Sequence, residues 1–163
     1  MTEKYGGTYT ASAVGEVNVV NAMKVSNAII GGEGNGGIIY PESHYGRDAL
    51  VGVALFLSLL AERKIAVSTL RSSYPSYFMS KKKIDLNPTI DVDAILVAME
   101  AKYSQEQISI IDGVKIDFPT EWVHLRKSNT EPIIRIYTEG PTQGAADELA
   151  DKIINEIKEV AGL

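Results

Sequence analysis

Residues 28–40 have the sequence AIIGGEGNGGIIY, in which a seven-residue stretch rich in glycine separates two short apolar segments. The first apolar segment, Ala28–Ile30, predicts a short buried strand, and Ile38–Tyr40 resumes extended character before Pro41. The segment Arg47–Arg63 follows and is apolar nearly all round, which predicts a helix inside a layered α/β arrangement. The glycine-rich stretch is therefore predicted to be a loop between two extended segments.

The residues before this loop add one strand and one helix to the prediction. Thr8–Val14 alternates weakly, as a strand does, and Gly15–Lys24 has the apolar spacing of a helix. Together with the segments around the loop, these elements make only about half of an ordinary α/β domain. We expect this partial domain to occupy residues 1–66, with a boundary near residues 66–74.

The second half of the chain has a different pattern, because short strands separated by turns dominate it. Asp91 is a predicted N-cap for a helix that runs to about Lys102, and Thr142 begins a last helix with one apolar stripe. Asp112-Gly113 is a strong hairpin signal. The predicted strands are Tyr77–Leu86, Ile108–Ile111, Val114–Phe118, Trp122–Leu125 and Ile133–Tyr137. The fold class is thus α/β plus α+β, with an antiparallel-sheet domain covered by two helices at residues 75–163.

Composition excludes several classes of function. The chain has 16 basic and 21 acidic residues, a net charge of -5, which argues against a general nucleic-acid or anionic-membrane surface. It contains no cysteine, so disulfides, thiolate metal sites and a cysteine nucleophile are excluded, and a cytoplasmic location is compatible. The longest apolar run, Ala49–Ala61, is shorter than the roughly 20 residues that a membrane span requires. Any anion must therefore be bound by a local cluster.

One such cluster is the segment RKSNTEP at residues 126–132, together with Arg135 on the following strand. Guanidinium groups bind phosphate bidentately, hydroxyl and amide groups add hydrogen bonds, and backbone N–H groups of a tight loop can complete an anion site. A phosphate monoester is the ligand that these groups fit best. The alternative is a polar hairpin loop whose side chains only satisfy their own backbone.

The glycine loop contains G-x-G-x-x-G at Gly32, Gly34 and Gly37, but it does not predict a dinucleotide site. That motif has to open a helix, whereas this loop leads into an extended segment, and Glu33 would repel the phosphates. A carboxylate at Glu33 and an amide at Asn35 suit sugar hydroxyls, because together they accept and donate hydrogen bonds. The alternative is a flexible linker.

Taken together, the two loops resemble those of the alpha-D-phosphohexomutases, the phosphoglucomutase and phosphomannomutase family. Their order, spacing and content are similar, and the likeness extends to Val14-Gly15-Glu16 and Tyr45-Gly46-Arg47-Asp48. The resemblance implies that residues 1–66 are the end of the family's third domain and residues 75–163 its fourth. It also implies that the enzyme interconverts hexose 1-phosphate and hexose 6-phosphate through a bisphosphate intermediate.

The resemblance implies a role for each residue of the two loops. Glu33 and Asn35 would bind the O3 and O4 hydroxyls of the sugar. The phosphate that is not being transferred would be held by Arg126, Ser128, Asn129, Thr130 and Arg135. The family loop commonly ends in His where this chain has Gly37, which makes His44 and Arg47 candidates for the missing catalytic role.

The family's phosphoserine loop and its magnesium loop are absent from this sequence. The resemblance places both in N-terminal domains, so we expect Mg²⁺ and the phosphoserine there and expect this chain alone to be inactive. Its expected partners are hexose phosphates and those N-terminal domains. A non-catalytic phosphosugar-binding module and a protein-binding scaffold are the alternatives. The sequence does not separate glucose, mannose and glucosamine phosphates.

Overall fold

The structure is a computed structural model that describes residues 2–87, 90–128 and 131–163. The chain divides into two compact units, and the division falls between Tyr74 and Pro75. We call the part up to Tyr74 unit 1 and Pro75–Leu163 unit 2. As predicted, the fold is mixed α and β, with a partial domain followed by a small antiparallel-sheet domain.

Unit 1 combines three helices with a small antiparallel sheet in the order β1-β2-β3. A short 3-10 turn, Glu3–Tyr5, precedes these elements. The elements are α1 (Glu16–Ser26), β1 (Gly31–Gly32), β2 (Ile38–Tyr40), β3 (His44–Arg47), α2 (Ala49–Arg63) and α3 (Val67–Ser72). The helix α3 was not predicted, and it lies where we expected only a domain boundary.

Two strand predictions for unit 1 are wrong, and one helix prediction is wrong in part. Thr8–Val14 forms no strand in the described chain, and no strand of the small sheet pairs with it. The strand β1 consists of two glycines, and Ile29, in the predicted buried strand Ala28–Ile30, is 82% exposed. The helix predicted for Arg47–Arg63 is confirmed, with its first residue at Ala49 after the N-cap Asp48, but its predicted burial is wrong, since none of its residues is buried.

Unit 2 is a five-stranded antiparallel sheet in the order β4-β8-β7-β6-β5, with two helices on one face. The elements are β4 (Phe78–Asp85), α4 (Val92–Lys102), β5 (Gln107–Ser109), β6 (Val114–Asp117), β7 (Trp122–Lys127), β8 (Ile133–Gly140) and α5 (Gln143–Ala161). Asp91 and Thr142 cap α4 and α5 as predicted, since their side chains accept hydrogen bonds from backbone N–H groups of the first turn.

Alternation along the strands of unit 2 separates a buried face from an exposed one. Ile134, Ile136, Val123, Leu125 and Ile116 point toward the helices and are fully buried. The apolar stripe of α5 packs on this face from Ala146 to Ile157, and Val160, near the end of the helix, is 42% exposed. The buried Thr138 hydroxyl donates to the Ala146 carbonyl at 2.7 Å and joins β8 to α5. The opposite face carries most of the charged residues of the strands. Lys82 and Lys127 are on the helix face instead, where they pair with Asp151 of α5 and Asp93 of α4.

The hairpin between β5 and β6 differs from the prediction in its length. The strand β5 ends at Ser109, so Ile110 and Ile111 lie in the turn and are exposed. Gly113 has a φ of 76°, and a Cβ there would lie 2.1 Å from the Leu125 carbonyl oxygen, so no other residue fits without distortion. This close approach brings the turn beside the end of β7.

Candidate functional site

The glycine loop of unit 1 is a compact turn between β1 and β2. The Glu33 N–H donates to the Gly37 carbonyl at 3.0 Å, and the Gly36 N–H donates to the Glu33 carbonyl at 3.0 Å. Gly36 has a φ of 93°, which glycine adopts without strain. The loop therefore has a defined backbone conformation, with the internal hydrogen bonds of a turn and not of a linker.

The only two side chains longer than a hydrogen atom in residues 31–37 are those of Glu33 and Asn35. Asn35 Oδ1 accepts a hydrogen bond from the Gly37 N–H at 3.0 Å. Within the described residues, no protein group bonds to its Nδ2 or to the carboxylate of Glu33. Asn35 is exposed and Glu33 is half-buried, so both retain hydrogen-bonding groups for a ligand.

Beside this loop lies an open depression of about 620 Å³. Asn35, Arg47 and the backbone of Gly37 contribute to its wall. Glu16, Gly36, Ile38, Asp48 and Ala49 complete the lining. Glu33 and His44 do not line it. The structure thus brings two of the predicted site residues, Asn35 and Arg47, to one concave surface.

Arg47 is fixed at the depression by Glu16 from the first turn of α1. Its Nε donates to Glu16 Oε2 at 2.8 Å, and its backbone N–H donates to Glu16 Oε1 at 3.1 Å. The backbone hydrogen bond, followed by the guanidinium, lowers the pKa of Glu16 below its ordinary value. The carboxylate remains ionised and holds the arginine. The sequence predicted no role for Glu16, because a contact between residues 31 positions apart leaves no local pattern in the sequence.

His44 lies in a different environment from Arg47. Its Nε2 is 3.2 Å from Asp48 Oδ2, while Asp48 Oδ1 accepts from the N–H groups of Leu50 and Val51. The Val51 hydrogen bond is the largest cause that lowers the pKa of Asp48, and His44 contributes as well. His44 therefore contacts the N-cap residue of α2, and it adjoins the depression through Asp48 without lining it.

We call the segment RKSNTEP, residues 126–132, the phosphate loop. In unit 2, the register of the sheet aligns three basic residues at the end where this loop begins. Lys83 on β4 pairs with Arg135 on β8, and Arg135 pairs with Arg126 on β7. Directly opposed residues of an antiparallel sheet point to the same face, so these three side chains form one basic row on the exposed face. Sequence reasoning had named Arg126 and Arg135 but gave Lys83 no role, because strand register was not deduced.

Two members of the basic row are paired with acids. Arg126 Nε is 3.1 Å from Asp112 Oδ2 in the β5–β6 turn, and Lys83 Nζ is 2.9 Å from Asp85 Oδ1. Asp85 raises the pKa of Lys83, and the charge of Glu131 in the loop acts in the same direction. Among the described residues, Arg135 has no carboxylate partner. It is the cation of this row most available to an external anion.

The phosphate loop is joined to the sheet by backbone hydrogen bonds. The Ser128 N–H donates to the Ile133 carbonyl at 3.1 Å, and the Ile133 N–H donates to the Glu131 carbonyl at 2.8 Å. The Leu86 N–H donates to the Pro132 carbonyl at 2.9 Å. Asn129 and Thr130, which we predicted to bind phosphate, lie outside the described residues. Ser128 and Arg126 flank the loop from the end of β7.

The described residues offer neither a cluster of metal ligands nor a helix that could span a membrane. Over residues 2–87, 90–128 and 131–163, no group of three or more His, Asp or Glu side chains is placed to bind a metal ion. The Mg²⁺ that the resemblance implies thus has no ligand set among these residues. Within the same part of the chain, every helix is too short or too polar to cross a membrane.

Comparison with known protein families gives a match for each half of the chain. A sequence profile described as phosphoglucomutase/phosphomannomutase, alpha/beta/alpha domain III, matches residues 1–77. A second, described as phosphoglucomutase/phosphomannomutase, C-terminal domain, matches residues 80–156. The chain therefore belongs to the phosphoglucomutase/phosphomannomutase family, which confirms the predicted resemblance.

Relatives with curated descriptions are mutases. A phosphoglucosamine/phosphogalactosamine mutase from Sulfurisphaera tokodaii is 36% identical over 159 residues, covering 96% of this chain and 34% of the relative. A phosphoglucomutase/phosphomannomutase from Thermococcus kodakarensis is 32% identical, covering 98% of this chain and 35% of the relative. The chain thus spans about a third of the length of the curated relatives that it matches.

A solved structure supports the fold. The crystal structure of a phosphoglucomutase/phosphomannomutase family protein from Burkholderia thailandensis matches with a TM-score of 0.76 and 23% identity. The match covers 97% of this chain and 34% of that chain. This likeness concerns the architecture alone.

Proposed function

We propose that this chain is the substrate-recognition part of a phosphohexomutase that interconverts hexose 1-phosphate and hexose 6-phosphate. The single observation that carries the proposal is the row Lys83, Arg135 and Arg126 at the start of the RKSNTEP loop. A row of cations on one face of the sheet, with Arg135 exposed and without a carboxylate partner among the described residues, is suited to a phosphate monoester, particularly in a chain with a net charge of -5. Family membership makes the phosphate of a hexose the natural candidate.

Each unit would contribute a different part of recognition. In unit 2, Arg126, Ser128 and Arg135 would bind the phosphate that is not being transferred, together with Asn129 and Thr130. In unit 1, Glu33 and Asn35 would bind sugar hydroxyls, since both keep free hydrogen-bonding groups on a loop of fixed shape. Positioning of this kind supplies much of the catalytic effect in phosphoryl transfer.

We assign the transfer chemistry itself to residues outside this chain. Ser128 is not the nucleophile in this proposal, because its place in the loop suits a phosphate contact and no general base adjoins it in the sequence. The phosphoserine and Mg²⁺ would belong to N-terminal domains, which are also the proposed protein partner. The absence of cysteine fits a cytoplasmic enzyme.

The Arg126→Lys variant tests the proposed phosphate site. Lysine keeps the charge but loses the planar fork that binds two phosphate oxygens together, so we expect affinity for glucose 6-phosphate to fall about tenfold. The measurement is a titration of the 163-residue chain, followed by NMR chemical shifts at matched ionic strength. Arg63→Lys, on the exposed end of α2, is the matched control and should bind as the parent does. Equal affinities of Arg126→Lys and the parent would refute the phosphate assignment.

A further inference from the structure

Arg47 retains donors that no protein group uses. In the described part of the chain, Glu16 binds only the Nε and the backbone N–H of this residue. The two terminal nitrogens of a guanidinium carry further N–H donors and no acceptor, and the group stays protonated at any physiological pH. Arg47 can therefore donate hydrogen bonds to a ligand in the depression, but a group that stays protonated is not suited to accept a proton in the catalytic role left open by Gly37.

Gly37 provides the space that the Arg47 side chain occupies. A Cβ at position 37 would lie 2.8 Å from Arg47 Cδ, closer than real Cβ atoms approach another atom, and 3.2 Å from Arg47 Cγ, so the arginine stem would have to shift. The backbone of Gly37 is not in the left-handed region, so its conformation does not require glycine. The absence of a side chain at this position is explained by the arginine stem that lies against it.

Asn35 links the arginine to the glycine loop. Its Oδ1 accepts from the Gly37 N–H, and Asn35 and Arg47 both line the same depression. Two side chains that keep unused donors thus line one concave surface, beside a carboxylate, Glu16, that is already paired with Arg47. Oxygen atoms of a polyhydroxylated ligand are the acceptors that such donors bind.

We infer that Arg47 is a third side chain of the sugar site, that it donates to hydroxyl oxygens of the hexose, and that Glu16 is its positioning residue. The inference rests on the proposed function, since it takes a hexose phosphate as the ligand of the glycine loop. Gly37 belongs to the same arrangement, because any larger residue would displace the arginine.

The experiment compares two alanine substitutions in one loop. Gly37→Ala introduces a Cβ 2.8 Å from Arg47 Cδ and 3.2 Å from Asn35 Oδ1, whereas Gly34→Ala places a Cβ in open space with no heavy atom within 4 Å. We expect Gly37→Ala to weaken glucose 6-phosphate binding at unit 1 about tenfold, the loss of one charge-assisted hydrogen bond. Gly34→Ala should stay within about twofold of the parent. Binding is followed by the chemical shifts of the Gly36 amide, the Asn35 side-chain amide and Arg47 Nε in the ¹⁵N-labelled chain.

Glu16→Gln separates positioning from a purely structural contact. The amide loses the charge that holds Arg47, so the Arg47 Nε resonance should move, and affinity should fall by about the same factor as in Gly37→Ala. Glu62→Gln, an exposed acid on α2, controls for the loss of one charge in the same unit. A dispersed spectrum of unit 1 verifies folding, and Arg47→Lys, which keeps charge and stem, provides an independent variant with the same expected loss.

Inorganic phosphate distinguishes this inference from the proposed phosphate site. It should move resonances of Ser128 and Arg135 in unit 2 but leave the unit 1 signals in place, while glucose 6-phosphate moves both sets. Unit 2 responses without any at unit 1 would overturn the role of Arg47 and leave the phosphate site intact. Equal affinities for Gly37→Ala and Gly34→Ala, or a unit 1 response to inorganic phosphate alone, would overturn it as well. Absence of binding to either unit would refute both proposals.

Discussion

The two units bury apolar side chains to very different extents. In unit 2, fifteen buried hydrophobic residues from the sheet and both helices form one cluster. In unit 1, the buried hydrophobic residues of the described chain are Met23, Ile39 and Leu70. The difference does not arise from composition, because α2 of unit 1 has Glu62 and Arg63 as its only charged residues and yet buries none of its side chains.

The helices α5 and α2 show what separates an amphipathic helix from a uniformly apolar one. The apolar stripe of α5 is covered by a single sheet face, and Ala146, Leu149, Ala150, Ile153 and Ile157 are buried. A helix that is apolar on all sides requires cover on several sides. The other elements of unit 1 do not cover α2 on several sides, so Leu50 is 82% exposed and Leu57 is 57% exposed.

This contrast bears on how each unit can serve a site. The basic row of unit 2 lies on a sheet whose other face is packed, so its strands hold Arg126 and Arg135 in a rigid register. The depression of unit 1 depends on a few individual contacts: the turn at Gly36 and the Glu16–Arg47 pair. Extended apolar surface such as that of α2 usually marks a surface covered by other protein. We expect unit 1 to gain rigidity when α2 is covered.

The largest expected effect tests the difference in packing directly. Ile136→Ala removes a fully buried side chain from β8, which pairs on both sides, and should lower the free energy of unfolding by about 2–5 kcal/mol. Leu50→Ala in α2 should change it by no more than about 0.5 kcal/mol. Urea unfolding of both variants is followed by far-UV circular dichroism and by the fluorescence of Trp122, the only tryptophan. Similar losses in the two variants would contradict the contrast between the units.

The fold of unit 2 could be predicted further than that of unit 1, for the same physical reason. Alternation and helical stripes record burial on one side, so the strands and the helix α5 were found from the sequence. In unit 1 the predictions for Ala28–Ile30 and Arg47–Arg63 assumed that apolar means buried, and the structure leaves Ile29 and α2 exposed. Apolar content indicates a need for cover but does not identify what provides it.

The candidate site divides in a similar way. The loops around Glu33 and Arg126 could be predicted because the side chains that suggest their function are close together in the sequence. The residues that hold the site arginines, Glu16 and Asp112, act across 31 residues or from a neighbouring hairpin. Register was also needed to place Lys83 beside Arg135. Pairwise contacts of this kind require the folded backbone.

A second prediction, with a smaller expected effect, tests whether a helix cap adds to the stability that unit 2 gains from packing. The side chain of Asp91 accepts from the N–H groups of Asp93 and Ala94, at 3.0 and 3.1 Å. Asp91→Ala should lower the free energy of unfolding by about 1 kcal/mol, while Asp91→Asn, which keeps an acceptor, should lose little. The midpoint of urea unfolding measured by Trp122 fluorescence gives the comparison. Asp48 caps α2 of unit 1 in the same manner. If the alanine and asparagine variants of Asp91 are equally stable, the cap adds nothing measurable, and packing alone distinguishes unit 2 from unit 1.

The smallest effect concerns the pH dependence of unit 2. The Tyr103 hydroxyl donates to Glu156 Oε2 at 2.8 Å, and burial, followed by that carboxylate, raises the pKa of Tyr103. A raised pKa means that the folded unit keeps its proton where the unfolded chain, with an ordinary pKa of about 10, loses it. The contribution is therefore complete below about pH 10 and is lost as pH rises toward the folded pKa.

Tyr103→Phe isolates this contribution because it removes the hydroxyl and keeps the ring. The ring should retain its edge contact with Phe118, whose centroid is 5.6 Å away, and Glu156 should keep Lys102 at 3.2 Å. We therefore expect a loss of only about 0.5 kcal/mol at pH 7, near the lower end for a hydrogen bond. Between about pH 9 and 11, the urea midpoint of the parent should fall more steeply than that of the variant. Tyr5→Phe, an exposed tyrosine of unit 1, should follow the parent, and parallel profiles for Tyr103→Phe and the parent would show that the phenol adds nothing to the stability of unit 2.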